Sequence, residues 1–168
     1  VGFGGVGTAI AARLRGFEAH VEAVATHART EDGTVVHALE ELPVLLPQTE
    51  IVILDLPGGD DTAELVDDAF LSALPDDALL VNVGRGSLVD TDALLRHLRG
   101  GRIRAALDVV DPEPVPEGHP LWSAPGLLLT PHVGGASTAM RPRIAALVRQ
   151  QAERMQRGEE PINVVLRT

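Results

Sequence analysis

VGFGGVGTAI, residues 1–10, carries glycines at positions 2, 4, 5 and 7. Gly2, Gly4 and Gly7 form G-x-G-x-x-G, a spacing that gains meaning when it follows an apolar strand and opens a helix. In that setting Gly2 permits the tight turn, Gly4 lets the backbone approach a pyrophosphate, and Gly7 lets helix and strand pack closely. The amides of Gly5 and Val6 then lie at the helix N-terminus, where an anion is favoured. Only Val1 precedes the motif and there is no initiator Met, so the sequence is expected to begin inside a strand. The alternative is a plain glycine-rich turn.

Outward from this turn, apolar runs of strand length alternate with helical patterns. Residues 6–16 read as a helix ended by Gly16, and residues 19–25 as a strand. Residues 34–48 look like short helical pieces interrupted by Pro43 and Pro47. EIVILDL (50–56) reads as a buried strand, and residues 60–74 as a helix whose acidic first turn suits the helix dipole. ALLVNVG (78–84), IRAALDVV (103–110) and GLLLT (126–130) are further strands, and residues 90–101 a helix with a glycine stop. A last helix is expected from about Ser137 to Arg157, with Pro142 in its first turn. The alternation predicts an α/β fold: a Rossmann-like, doubly wound parallel sheet with helices on both faces. The expected division is a dinucleotide-binding domain over residues 1–135 and a C-terminal helix and tail over residues 136–168.

Composition narrows the chemistry. With 168 residues, 45% of them hydrophobic, the chain can bury a sizeable core. No apolar run approaches the ~20 residues of a membrane helix, and no signal peptide is visible, so a cytoplasmic protein is expected. A formal net charge of −10 disfavours nucleic acid or an anionic membrane as the main partner. There is no Cys, hence no disulfide, thiolate nucleophile or Cys-ligated zinc in this segment. All 14 basic residues are Arg, which removes Schiff-base chemistry and the P-loop lysine. Six His and the carboxylates remain for proton transfer.

The adenosine end of the expected site departs from the usual pattern. An NAD site commonly places an acid at the end of the second strand, roughly 20 residues beyond the motif. That place falls near Ala25, residues 23–30 contain no acid, and His27 and Arg29 follow instead. A missing acid beside an Arg fits a 2′-phosphate and hence NADP(H); the alternative is that His27 and Arg29 are ordinary loop residues.

In doubly wound sheets ligands bind beyond the C-terminal strand ends, and three such ends carry unusual polar residues. ALLVNVG runs into Arg85, AALDVV runs into the DPEP that carries Glu113, and LLLTP runs into His132. Hydride transfer to a keto acid needs this set. A planar cation holds the carboxylate and polarises the carbonyl. A group titrating near neutrality supplies a proton to the alkoxide. A carboxylate beside it favours its protonated form. The segment DPEPVPEGHP, with prolines at 112, 114, 116 and 120, is either a stiff surface loop or a rigid arm that fixes Glu113.

GFGGVG, LLPQTEIVILDLP, LLVNVGRGSLVDTDAL, AALDVVDPEP, HPLW and LLLTPHVGG together resemble the nucleotide-binding domain of the D-2-hydroxyacid dehydrogenase family, over nearly the whole chain. The resemblance implies that Arg85 binds the substrate carboxylate and carbonyl and that His132 is the acid/base, paired with Glu113. It makes Asp108 a partner of the nicotinamide carboxamide and has Pro57, Val83 and Gly84 line the cofactor cleft. Three departures stand out. The stretch between Arg85 and Asp108 is one residue short, LDLP lacks the His often seen before the cofactor-lining Pro, and the acid after the second strand is absent. The family's substrate domain, lying mostly upstream of the glycine turn, is expected to be missing from this chain, and INVVLRT (162–168) would cross back towards it. The expected cofactor is NAD(P), with a lean to NADP(H), bound through Gly2, Gly4, Gly5, Val6, Gly7 and Arg29. The expected activity is reduction of a small 2-keto acid of the glyoxylate or hydroxypyruvate kind. The expected partners are that acid and a second copy in a homodimer, with no nucleic acid and no membrane. A dinucleotide-sensing binding protein like the corepressors of this fold, or an inactive nucleotide-binding fragment, are the alternatives.

Overall fold

The computed structural model describes residues 1–31 and 33–162, so all of the expected tail at residues 162–168 except Ile162 lies outside the described residues. The chain divides into two compact units, Val1–His132 and Val133–Thr168.

The first unit begins with the glycine turn and α1 (Gly5–Leu14). Next come β1 (Ala23–Ala25), β2 (Arg29–Glu31) and β3 (Thr34–Ala38), then a run of short helical turns containing α2 (Leu42–Leu45). The second half alternates β4 (Ile51–Leu54), α3 (Asp68–Ala73), β5 (Leu79–Asn82), α4 (Thr91–Arg99), β6 (Arg104–Leu107) and β7 (Leu127–Leu129). Strands β4-β5-β6-β7 form one sheet in that order, every pair parallel. β1, β3 and β2 form the other, with β1 parallel and β2 antiparallel to β3.

Residues 1–3 join the two sheets. Gly2 N–H donates to the Val24 carbonyl at 2.8 Å, and Asp55 N–H donates to the Val1 carbonyl at 2.8 Å. The stub therefore lies between β1 and β4, hydrogen-bonded to both. The resulting order is β2-β3-β1-(1–3)-β4-β5-β6-β7, the doubly wound Rossmann-like arrangement with the glycine turn at its centre.

The core explains why the right-hand strands are so regular. Leu54, Leu80, Leu71, Leu94 and Leu98 are almost wholly buried together with Val66. Burying each such side chain contributes about 1.5–3 kcal/mol relative to exposure. On α4, Ala93, Leu94, Leu95 and Leu98 face this core while Arg96 and Arg99 sit in its last turn. Asp90 starts that helix, its carboxylate accepting from Asp92 N–H and Ala93 N–H at 2.9 and 3.0 Å.

Four local expectations are corrected. Residues 34–38 form β3 rather than helix; Thr34, Val35 and Val36 are β-branched, and the segment gains partners on both sides. The helical pieces around Pro43 and Pro47 begin only at residue 39. Of residues 60–74 only Asp68–Ala73 is α-helical. Val66 is fully buried and its backbone pairs with Leu88 and Asp90, which a helix there would forbid. Asp60 and Asp61, the acids expected in the first turn, lie in a separate 3-10 turn, and the helix that forms has Asp68 there instead, after an N-cap at Asp67 that accepts from Phe70 N–H at 2.8 Å. Helix α1 ends at Leu14, runs on as a 3-10 turn through Phe17, and turns out through Glu18 at φ +56° rather than through Gly16. The strand expected over residues 19–25 is confined to β1.

The second unit is built on α5 (Met140–Gln156), with Pro142 in its first turn as expected. The Gln151 side-chain amide binds Ile162 in both directions, donating to its carbonyl at 2.6 Å and accepting from its N–H at 3.1 Å. Among the described residues no helix is long and apolar enough to cross a membrane.

Candidate active site

The registers of the parallel sheet align the last residues of four strands. Leu54 lies opposite Asn82, Asn82 opposite Leu107, and Leu107 opposite Leu129. Whatever follows these residues emerges at one edge, at strand spacings of about 4.8 Å. Pro57 and Arg85 each come three residues beyond this row, Asp108 one residue and His132 three. The glycine turn emerges beside β4 at the same edge.

The turn has the geometry that its spacing predicts. Gly2 has φ +98°, and a Cβ there would lie 2.5 Å from the Asp55 carbonyl carbon. A Cβ on Gly7 would lie 2.1 Å from the Gly2 oxygen, so helix and strand meet at bare backbone. Beside Gly4 and Gly5, by contrast, a Cβ would meet nothing within 4 Å. Gly4 has no side chain to cap α1, which opens with the amides of Gly5 and Val6. The third amide, Gly7 N–H, donates to the Asp55 carboxylate; burial nevertheless holds that carboxyl above the usual range. Asp55, the acid that interrupts the apolar run of residues 51–57, is thus a partner of the glycine turn.

Arg85 is presented by a clamped turn. Asn82, 1% exposed, is the buried polar residue of the core among the described residues. Its side-chain oxygen accepts from Gly84 N–H at 3.0 Å and its amide donates to the Arg85 carbonyl at 2.8 Å. Both ends of this amide are satisfied within the turn, which fixes the path of Gly84 and Arg85. The guanidinium folds back, Nη1 donating to the Gly84 carbonyl at 2.7 Å. Gly84 packs on Leu56, where a Cβ would come within 2.7 Å of the carbonyl oxygen. Val83 beside it is 37% exposed and Pro57 is exposed.

Gly86 ties the Arg85 turn to the arm that carries Glu113. A Cβ on Gly86 would lie 2.0 Å from the carbonyl carbon and oxygen of Val110. Neither group is a flexible side chain, so Gly86→Ala should lower unfolding free energy by roughly 1–3 kcal/mol or more. Denaturant titration against the parent protein measures this, and an unchanged midpoint would show that the two arms are not in this contact.

The strand ends of β6 and β7 are also linked. Thr130 N–H donates to the Leu107 carbonyl at 2.9 Å, and the Thr130 hydroxyl donates to Asp108 Oδ1 at 2.6 Å. His132 follows at φ +53°, a left-handed conformation uncommon for a residue with a Cβ, with its N–H on the Thr130 carbonyl at 3.0 Å. Its Nδ1 lies 2.8 Å from Glu113 Oε1. A carboxylate only accepts, so Nδ1 carries the proton in this contact and Nε2 is left to face a ligand. Both side chains are about half exposed, which leaves the pair accessible. The Glu113 arm is braced further on, where the Trp122 indole donates to the Pro116 carbonyl at 2.9 Å.

The structure therefore places Glu113 against His132, and Arg85 two strands away on the same edge. Arg29 sits at the opposite side of the glycine turn, its Nη2 donating to the Phe3 carbonyl at 2.7 Å and its Nε to Glu31 at 2.8 Å. Asn82, Thr130 and Glu31 were not singled out from sequence. A buried Asn at the end of an apolar strand was the one available signal; Thr130 and Glu31 carried none without their partners.

Residues 1–134 match the family described as D-isomer specific 2-hydroxyacid dehydrogenase, NAD binding domain. A glyoxylate reductase of Thermofilum pendens is 35% identical over 164 residues, which are 96% of this chain and 48% of the relative. A glyoxylate reductase of Pyrococcus furiosus is 36% identical over 170 residues, 98% of this chain and 49% of the relative. The chain spans about half the length of these curated relatives. A solved D-isomer specific 2-hydroxyacid dehydrogenase from Xanthobacter autotrophicus Py2, in complex with NADPH and MES, has a TM-score of 0.88 at 36% identity. The likeness covers 98% of this chain and 68% of that one. An NADPH-dependent glyoxylate/hydroxypyruvate reductase from Sinorhizobium meliloti, in complex with NADP and malonate, has a TM-score of 0.80 at 36% identity, over 96% of this chain and 50% of its own. The family match begins at the glycine turn, takes in every strand of the sheet and runs just past His132, and the chain belongs to the D-isomer specific 2-hydroxyacid dehydrogenase family.

Proposed function

We propose that this chain is the catalytic and cofactor-binding half of an NAD(P)-dependent reductase of small 2-keto acids, of the glyoxylate or hydroxypyruvate kind. The observation that carries the reading is the 2.8 Å contact between His132 and Glu113 on the strand-end row that also presents Arg85 and the glycine turn. The residues fit a dinucleotide: open space faces Gly4 and Gly5, and Val6 and Val83 expose apolar surface beside it. A nicotinamide dinucleotide bound there supplies the hydride.

The chain's own groups do the rest. Gly5 and Val6 present N–H groups to the pyrophosphate at the positive end of α1. Asp108, held by the Thr130 hydroxyl, would accept from the carboxamide of that dinucleotide. Arg85 has a planar fork matched to a carboxylate and reaches the carbonyl oxygen beside it, drawing electron density from the carbon under attack. His132, held in place by Glu113, delivers a proton from Nε2 as that oxygen becomes an alkoxide. The lean to NADP(H) rests on Arg29, whose guanidinium is anchored one residue before Gly4.

The test is turnover of glyoxylate and hydroxypyruvate with NADPH and NADH, in the full-length protein that carries this chain. One reduced cofactor should be consumed per 2-hydroxy acid formed. Tight dinucleotide binding without turnover of either acid would favour a dinucleotide-sensing protein instead.

A further inference from the structure

We propose that Glu31 sets how strongly this site prefers a 2′-phosphorylated adenosine, by holding the guanidinium that the phosphate must take over. The inference rests on the dinucleotide reading above and adds a residue to it. Arg29 and Glu31 are two apart on β2, so their side chains share one face. The Arg29 guanidinium meets Glu31 Oε2 at 2.8 Å through both Nε and Nη2. Its Nη2 also donates to the Phe3 carbonyl, the residue before Gly4, which places the pair beside the glycine turn and past the end of β1. That is where the adenosine ribose of a dinucleotide lies when the pyrophosphate occupies the turn.

Residues 23–30 contain no acid, and among the described residues Glu31 is the carboxylate that meets Arg29. It acts oppositely on the two cofactors. Towards a 2′-phosphate it is a like charge and a rival for Arg29. Towards a free ribose it is an acceptor for hydroxyls. Arg29 and Glu31 are 39% and 43% exposed. An ion pair so open to water is weak enough for a ligand anion to displace.

Calorimetric titration with 2′,5′-ADP and 5′-ADP separates these effects without turnover. Glu31→Gln should strengthen 2′,5′-ADP binding by roughly two- to fivefold, the scale of an exposed ion pair, and leave 5′-ADP unchanged or weaker. Arg29→Ala should weaken 2′,5′-ADP and spare 5′-ADP. If both probes bind the parent protein but Glu31→Gln leaves their ratio unchanged or lowers it, the role of Glu31 is overturned and the dinucleotide site stands. If neither probe binds the folded parent protein, the dinucleotide reading itself fails and the inference falls with it.

Discussion

His132→Ala should lower keto-acid turnover by roughly 10²- to 10⁴-fold, the range for a positioned proton donor, with dinucleotide affinity little changed. The side chain lies at the far strand end from the adenosine side of the turn, so its loss removes proton delivery rather than cofactor contacts. Steady-state turnover together with a cofactor titration measures both. The sharper result concerns Glu113→Gln. The carboxylate 2.8 Å from Nδ1 holds the His132 ring in place. Glutamine keeps the shape but not the charge, so turnover should fall, and by less than in His132→Ala. In the double variant the loss should be no greater than in His132→Ala alone, because Glu113 acts through the ring that is gone. Losses that multiply in the double variant would mean that the two residues are not coupled in catalysis.

The trio was legible because each member follows an apolar run. Strand runs such as IVIL and LLVN bury alternate residues into one core, so the first polar residue past each run marks a strand end. Parallel order then brings residues far apart in sequence to one edge. What could not be read were features decided by pairing. Residues 34–38 are strand because β1 and β2 flank them, and the prolines that follow pulled the sequence reading towards helix. Val66 interrupts an apparent helix because its backbone is taken by Leu88 and Asp90. Glu31 lies one residue beyond the window in which an acid was sought, on a hairpin strand that only its pairing with β3 defines. Asn82 looks like the last residue of a strand; only its two hydrogen bonds show that it shapes the Arg85 turn.

Gly4→Val should weaken dinucleotide binding by roughly 100-fold or more while leaving the fold intact. The three glycines of the motif are not equivalent. A side chain at Gly2 faces φ +98° and a backbone contact at 2.5 Å, and one at Gly7 a contact at 2.1 Å, so both substitutions disturb the turn itself. Gly4 has φ −97° and ψ −156°, extended backbone that valine adopts, and a Cβ there meets no protein atom within 4 Å. With nothing among the described residues within 4 Å of that Cβ, the new side chain is expected to obstruct a ligand approaching the open side of the turn. Losing two charge-assisted hydrogen bonds from a pyrophosphate to helix N-terminal amides removes about 3 kcal/mol or more, which sets the expected loss of affinity. Circular dichroism and the unliganded melting temperature should match the parent protein, and the rise in melting temperature on adding dinucleotide should disappear. A folded variant that still binds as tightly would show that the phosphates do not lie over Gly4, and the anion-binding role of α1 would fail with it.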